Sequence, residues 1–145
     1  MMLKTIPPLL TPDLLWAIAA MGHGDRLAVV NANYPAYSRH QRVVALAGAS
    51  MVDAIAAILQ LLPLDELDAR AAVRMVPDGR PGDMPEVHRE VQGVQDSAEG
   101  RAVEMQAVER TPFFAMAGTC FAAVHLSDNR PFGCFVLTKG VVRAS

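Results

Sequence analysis

The sequence predicts an α/β layered fold on a mixed, partly parallel sheet. Two observations carry that prediction. Short apolar runs suited to buried strands alternate with segments that have helix caps and helical spacing, which is the pattern of a layered α/β domain. The chain then closes on two strand-like runs, 119–126 and 132–137, joined by the turn-type stretch Ser127-Asp128-Asn129-Arg130-Pro131, which adds an antiparallel portion.

The elements follow in order. Thr11-Pro12-Asp13 opens the first helix, with Thr11 as cap, Pro12 at the first helical position and Asp13 at the positive end of the dipole. Leu14, Leu15, Ile18 and Met21 follow at helical spacing, and Gly22 is placed to end the helix in a left-handed conformation. Residues 26–30 (RLAVV) form a buried strand that ends in the loop Asn31-Ala32-Asn33-Tyr34-Pro35. Polar groups there lie at the carboxyl end of the strand, where ligands bind in open α/β sheets. Ser50, with Asp53 three positions on, caps a helix over 51–62 that Pro63 stops. Residues 71–76 read as a strand, PDGRPGD (77–83) as a connector, and 85–97 as a polar helix. Residues 102–108 alternate and read as a strand, and Thr111-Pro112 begins a short helix ending at Gly118. No repeat, low-complexity stretch or second domain interrupts the chain, which reads as one domain over 1–145.

Composition narrows the function. With 52% hydrophobic residues the chain can bury a sizeable core, and a net charge of −2 gives no basic excess to neutralise phosphates, so nucleic acid is not an expected partner. The proline-rich start is no secretory leader, and no run approaches the ~18 apolar residues of a membrane span. Cys120 and Cys134 sit in apolar runs with no metal-ligand spacing, which fits reduced thiols in a cytoplasmic protein. No HExxH or H-x₃-H pattern, P-loop, GxGxxG or GxSxG is present, so neither a metal nor a nucleotide cofactor is expected.

Two residues stand out chemically. His23 lies between Gly22 and Gly24, with Asp25 two positions on. Flanking glycines leave room for a ligand near the main chain, and an imidazole exchanges protons near neutrality. Asp25 could orient the ring or cap the next segment. Spacing alone leaves open that His23 is incidental to a helix stop. Arg110, at a strand-to-helix junction, could fork to hydroxyls or a carboxylate, or form a surface pair with Glu109 or Glu104.

Taken together, LKTIPPLLTPDLL, MGHGD, NANYPA and the closing FGCFVLTKGVV resemble the ribose pyranase and L-fucose mutarotase family (RbsD/FucU), in order and spacing over nearly the whole chain. The resemblance implies a three-layer α/β/α sandwich that assembles into rings, often decamers of two stacked pentamers, with sites near subunit boundaries. It implies a cofactor-free isomerase of monosaccharides working through the open-chain aldehyde. His23 would be the proton donor and acceptor. Asn31, Arg110, Phe132, Gly133 and Cys134 would bind the sugar, with Asp25 in support. Arg110 and Gly133 match the fucose branch, where the ribose branch tends to carry histidine and alanine. The expected reaction is therefore interconversion of the α and β anomers of L-fucose or a related sugar.

The sequence also departs from the family. Asn31 replaces an aspartate and cannot take up a proton; Phe132 replaces a tyrosine; Cys134 replaces an asparagine. Phe114 and Ala115 replace a tyrosine and glutamate of the fucose branch. A pocket stripped of hydrogen-bonding groups changes its substrate preference. The alternative reading is a non-catalytic monosaccharide-binding homologue with a degenerate site.

Overall fold

A computed structural model describes residues 2–144. In chain order the elements are α1 (Pro12–Ala20), β1 (Arg26–Val30), α2 (Ala36–Arg39), β2 (Val43–Leu46), α3 (Met51–Leu59), β3 (Ala72–Val76), α4 (Glu86–Glu99), β4 (Gln106–Glu109), α5 (Arg110–Ala117), β5 (Ala122–Leu126) and β6 (Phe135–Thr138). The six strands form one sheet in the order β2-β5-β1-β6-β3-β4.

The sheet is mixed, as expected, but not by the expected hairpin. β5 pairs parallel with β1 and β2. β6 instead inserts between β1 and β3, antiparallel to both. Five strands therefore run one way and β6 alone runs the other. The turn-type stretch 127–131 leads from β5 past β1, and its residues serve the site described below.

Side chains alternate across the sheet and feed a core on each face. Leu27, Val29, Val124, Leu126, Phe135 and Leu137 pack with α1, α3 and α4. Ala28, Val30, Val73, Ala123 and Val136 pack with Phe113 and Ala117 of α5 and Ala36 of α2. The result is the three-layer α/β/α sandwich. Burial on both faces explains why the central strands are apolar throughout.

Local sequence placed most helix starts correctly. Thr11 Oγ1 accepts the Leu14 amide at 3.4 Å and Ser50 Oγ the Asp53 amide at 3.1 Å. The ends differ. α1 stops at Ala20 with Met21 extended, and Gly24 rather than Gly22 takes the positive φ, at 90°. Lys139 Nζ closes α1 instead, donating to the Ile18 and Met21 carbonyls at 2.8 and 2.6 Å. α3 is shorter than the expected 51–62 helix, and 102–105 precede rather than join β4. α2, a single turn, and β2 lie in a stretch for which no element was expected.

Candidate functional site

Topology sorts the loops onto two edges of the sheet. The residues after β1, β3, β4 and β5, and those before the reversed β6, share the carboxyl edge of the parallel strands. Residues before β1 and β3, and after β6, share the opposite edge. This single fact divides the expected site residues into two groups.

At the carboxyl edge, Asn31, Arg110, Phe132 and Cys134 line one pocket of about 550 Å³, together with Asn33, Tyr34, Arg39, Met75 and Phe114. That volume falls in the range of small-molecule sites. Asn31 is buried, and loop building consumes most of its amide. Its Oδ1 accepts the Asn33 and Tyr34 amides, both at 3.2 Å, and its Nδ2 donates to the Arg130 carbonyl at 3.1 Å. Gly133 packs beneath the lining: a Cβ there would meet the Arg130 carbonyl oxygen at 3.2 Å. A side chain there is tight, and the 130–133 turn would have to give by a few tenths of an ångström to admit one.

Phe132 has a φ of 59°, in the left-handed region. Such a backbone costs energy for a bulky residue and persists only where its surroundings hold it. Here the holder is a buried relay. His88 Nε2 donates to the Phe132 carbonyl at 2.7 Å, and His88 Nδ1 accepts from Arg74 Nη1 at 3.1 Å. A guanidinium only donates, which fixes this tautomer. Burial lowers the His88 pKa, against the bond to Phe132 and with the charge of Arg74. The preceding loop is pinned by Arg130, which bonds Glu90 at 2.8 Å and Asp128 at 3.1 Å. Burial acts to raise the Asp128 carboxyl, but its bonds from Arg130 and the Met51 amide hold it below the ordinary range.

Arg110 forms no pair with Glu104 or Glu109; Glu109 Oε1 accepts the Gly79 amide at 3.0 Å instead. Its guanidinium lies 4.9 Å from the Phe114 ring centre, and that of Arg39 lies 4.8 Å from the same centre. Phe114 meets Tyr34 edge-on at 5.0 Å. Tyr34 in turn shares a 2.8 Å hydrogen bond with His40, and burial pushes its phenol up to about 12. Burial also pushes the Cys134 thiol up to about 12, so it stays protonated.

His23 stands at the other edge. Its half-exposed ring places Nε2 at 3.1 Å from Oδ1 of buried Asp65. A carboxylate only accepts, so Nε2 carries the proton and Nδ1 keeps a lone pair. Burial favours the neutral Asp65 carboxyl, but bonds from His23 and the Leu67 amide outweigh it and keep the pKa low. Asp25 does not orient the ring; its Oδ2 accepts the Gly22 amide at 2.8 Å and shapes the turn. The cleft at His23 measures only about 100 Å³. β1 separates His23 from Asn31, and its five residues span roughly 16 Å. No monosaccharide bridges that distance, so one chain does not bring His23 to the pocket.

Sequence reasoning missed Asp65, Arg39, Tyr34 and the Arg74–His88 relay. Arg39 had a faint signal, since AYSR follows the loop proline and can form one helical turn. Asp65 had none, being 42 residues from His23.

The fold and these two features define a class: an α/β/α sandwich with a pocket at the carboxyl edge of its parallel strands and a carboxylate-paired histidine at the other edge. The chain belongs to the RbsD/FucU family, whose model, described as the RbsD / FucU transport protein family, matches residues 4–142. Among solved structures, one provisionally described as a sugar-binding protein is 38% identical, with a TM-score of 0.94 over 98% of this chain and 97% of that one. The fucose mutarotase of Streptococcus pneumoniae, solved with L-fucose, is 27% identical with a TM-score of 0.89, over 97% of this chain and all of that one. RbsD of Bacillus subtilis, solved with D-ribose, shares the fold at 15% identity, with a TM-score of 0.76 over 98% of this chain and all of that one. No helix among the described residues is long and apolar enough to cross a membrane.

Proposed function

We propose that this chain is a monosaccharide mutarotase whose catalytic sites form between two copies, the His23 edge of one facing the carboxyl-edge pocket of the next. The observation that carries the reading is the split itself. The pocket has room for a sugar and no base among its lining residues, while His23 has the base and a cleft too small for a sugar. Exposed Leu67 and Val141 line the His23 cleft, as expected of a surface that another copy covers. Similarity to a fucose mutarotase supports the reaction class and favours the fucose-like branch over ribose.

In this reading Nδ1 of His23 takes the proton of the anomeric hydroxyl. The C1 carbonyl forms, the bond from C1 to the ring oxygen breaks, and the ring oxygen receives the proton that Nδ1 of His23 has taken up. Rotation about C1–C2 and closure on the other face of the carbonyl give the second anomer. Asp65 holds the His23 ring through Nε2 so that Nδ1 faces outward to the sugar. Arg110 and the turn 132–134 orient the sugar hydroxyls. No cofactor is assigned. A second reading, sugar binding without catalysis, draws on the apolar lining by Phe132 and Cys134 and on the engaged amide of Asn31.

The test is anomer-exchange NMR on L-fucose, galactose and ribose, followed by mixing of two dead variants. His23→Ala and Arg110→Ala should each be inactive. Unfolded together and refolded as mixed oligomers, they should recover activity in roughly a quarter of the sites, because each boundary draws one edge from each neighbour. Exchange unaffected by His23→Ala removes the role of His23, no recovery on mixing removes the shared site, and folded wild-type protein that accelerates no sugar favours the second reading.

A further inference from the structure

We propose that the carboxyl-edge pocket selects a monosaccharide bearing an oxyanion, a sugar carboxylate or a sugar phosphate, held by the paired guanidinium groups of Arg39 and Arg110. The inference rests on the monosaccharide site proposed above and names its substrate class.

Charge bookkeeping in the lining motivates it. Arg39 and Arg110 both line the pocket, and no aspartate or glutamate among the described residues does; the carboxylates of the His23 cleft that a neighbouring copy would bring opposite, Asp65, Glu66 and Glu99, each already meet a basic partner, His23, Arg143 and Arg101. Asn31 and Asn33 supply neutral amides, Tyr34 a neutral phenol and Cys134 a neutral thiol. The lining thus carries two positive charges within a chain whose net charge is −2.

Neither arginine is spent on structure. Arg26, Arg80, Arg101, Arg130 and Arg143 each find a carboxylate. Among the described residues, Arg39 and Arg110 find none; Arg42, Arg70, Arg74 and Arg89 also lack one, but only Arg39 and Arg110 line this pocket. Each instead rests beside the Phe114 ring, so the two cations lie no further apart than the two ring distances combined. A ring shared between them reduces the freedom each loses on binding, while every N–H stays available. Planar forks in this state suit carboxylate or phosphate oxygens better than sugar hydroxyls, which offer no charge to offset like-charge repulsion between the arginines.

The test pairs neutral sugars with anionic counterparts. Galacturonate is compared with galactose, and ribose 5-phosphate with ribose, by calorimetric binding and anomer-exchange NMR on the full oligomer. The expected result is at least tenfold tighter binding of a charged member, weakening as salt is raised, with the preference falling toward parity in Arg39→Gln. Galacturonate alone preferred identifies the carboxylate; ribose 5-phosphate alone preferred identifies the phosphate. A neutral sugar bound as well as its charged partner overturns the inference while leaving the mutarotase reading intact. Arginine-dependent binding of a charged sugar without anomer exchange supports the inference and removes the mutarotase reading. If Arg39→Gln instead changes oligomer size by light scattering and leaves the charge preference intact, Arg39 serves a subunit contact and the clamp is overturned.

Discussion

Replacing His88 by phenylalanine tests the relay that shapes the pocket floor. The substitution keeps a ring of similar size in a fully buried position, so the edge-on contact with Phe135, at 5.1 Å between centres, survives. What goes is hydrogen bonding. The Phe132 carbonyl loses its 2.7 Å donor, and Arg74 loses its 3.1 Å acceptor while keeping the Asp83 and Pro81 carbonyls. The Phe132 carbonyl keeps the Cys134 amide at 2.9 Å, so the substitution removes one neutral bond worth about 0.5–1.5 kcal/mol and one bond from a charged donor worth about 1.5–3 kcal/mol. The sum is roughly 2–5 kcal/mol, or a Tm lowered by roughly 5–15 °C for a chain of this size. Melting at fixed protein concentration measures it, since assembly makes Tm concentration-dependent.

A pH series gives a second, independent readout. Burial holds His88 below its ordinary 6.5, so the folded ring stays neutral where the unfolded chain takes up a proton. The stability tied to this ring is therefore whole above pH 6.5 and declines as pH falls below it, by at most about 1.4 kcal/mol per pH unit. His40, lowered by burial and by Arg39, declines in the same window. His88→Phe should flatten the slope below pH 6.5 without abolishing it. A variant that melts within about 2 °C of the wild type and keeps the full slope would refute the relay.

Two further outcomes follow from the same contacts. Asn31→Asp, which restores the family's usual residue, replaces an N–H donor with a charged oxygen 3.1 Å from the Arg130 carbonyl; it should cost about 1–3 kcal/mol, read as a lowered Tm, and an unchanged Tm would mean that the turn rearranges freely. In the mutarotase reading, Asp65→Asn removes the carboxylate that holds the His23 ring and should lower kcat/KM by roughly a hundredfold; because the Asp65 carboxyl sits below its ordinary 3.8, its share of stability is present above that pH and lost as pH falls through the folded value, so the variant should lose part of the wild type's decline in strong acid.

Much of the fold was legible because its signals are local. Thr11 and Ser50 announce helix starts through side-chain oxygens that meet amides three residues on. The apolar strands announce burial on both faces. The paired closing strands misled because local pattern reports a strand and a turn but not the neighbour, and β1 occupies the place between β5 and β6. Gly22 misled for a related reason: the helix end is set by Lys139, at the far end of the chain, and no residue near Gly22 encodes it.

By itself the sequence determined the layered α/β class and the family pattern, and nominated His23 and Arg110 as candidates, because caps, periodicity and motif order are properties of neighbours along the chain. Only the tertiary structure decided what those residues meet. It set His23 against Asp65 rather than Asp25, engaged Asn31 in its own loop, held Phe132 in place through His88, and brought Arg39 and Arg110 to the same Phe114 ring. It also placed His23 and Arg110 at opposite edges of one sheet. Strand direction decides which loops share an edge, and direction is fixed by pairing between residues distant in sequence.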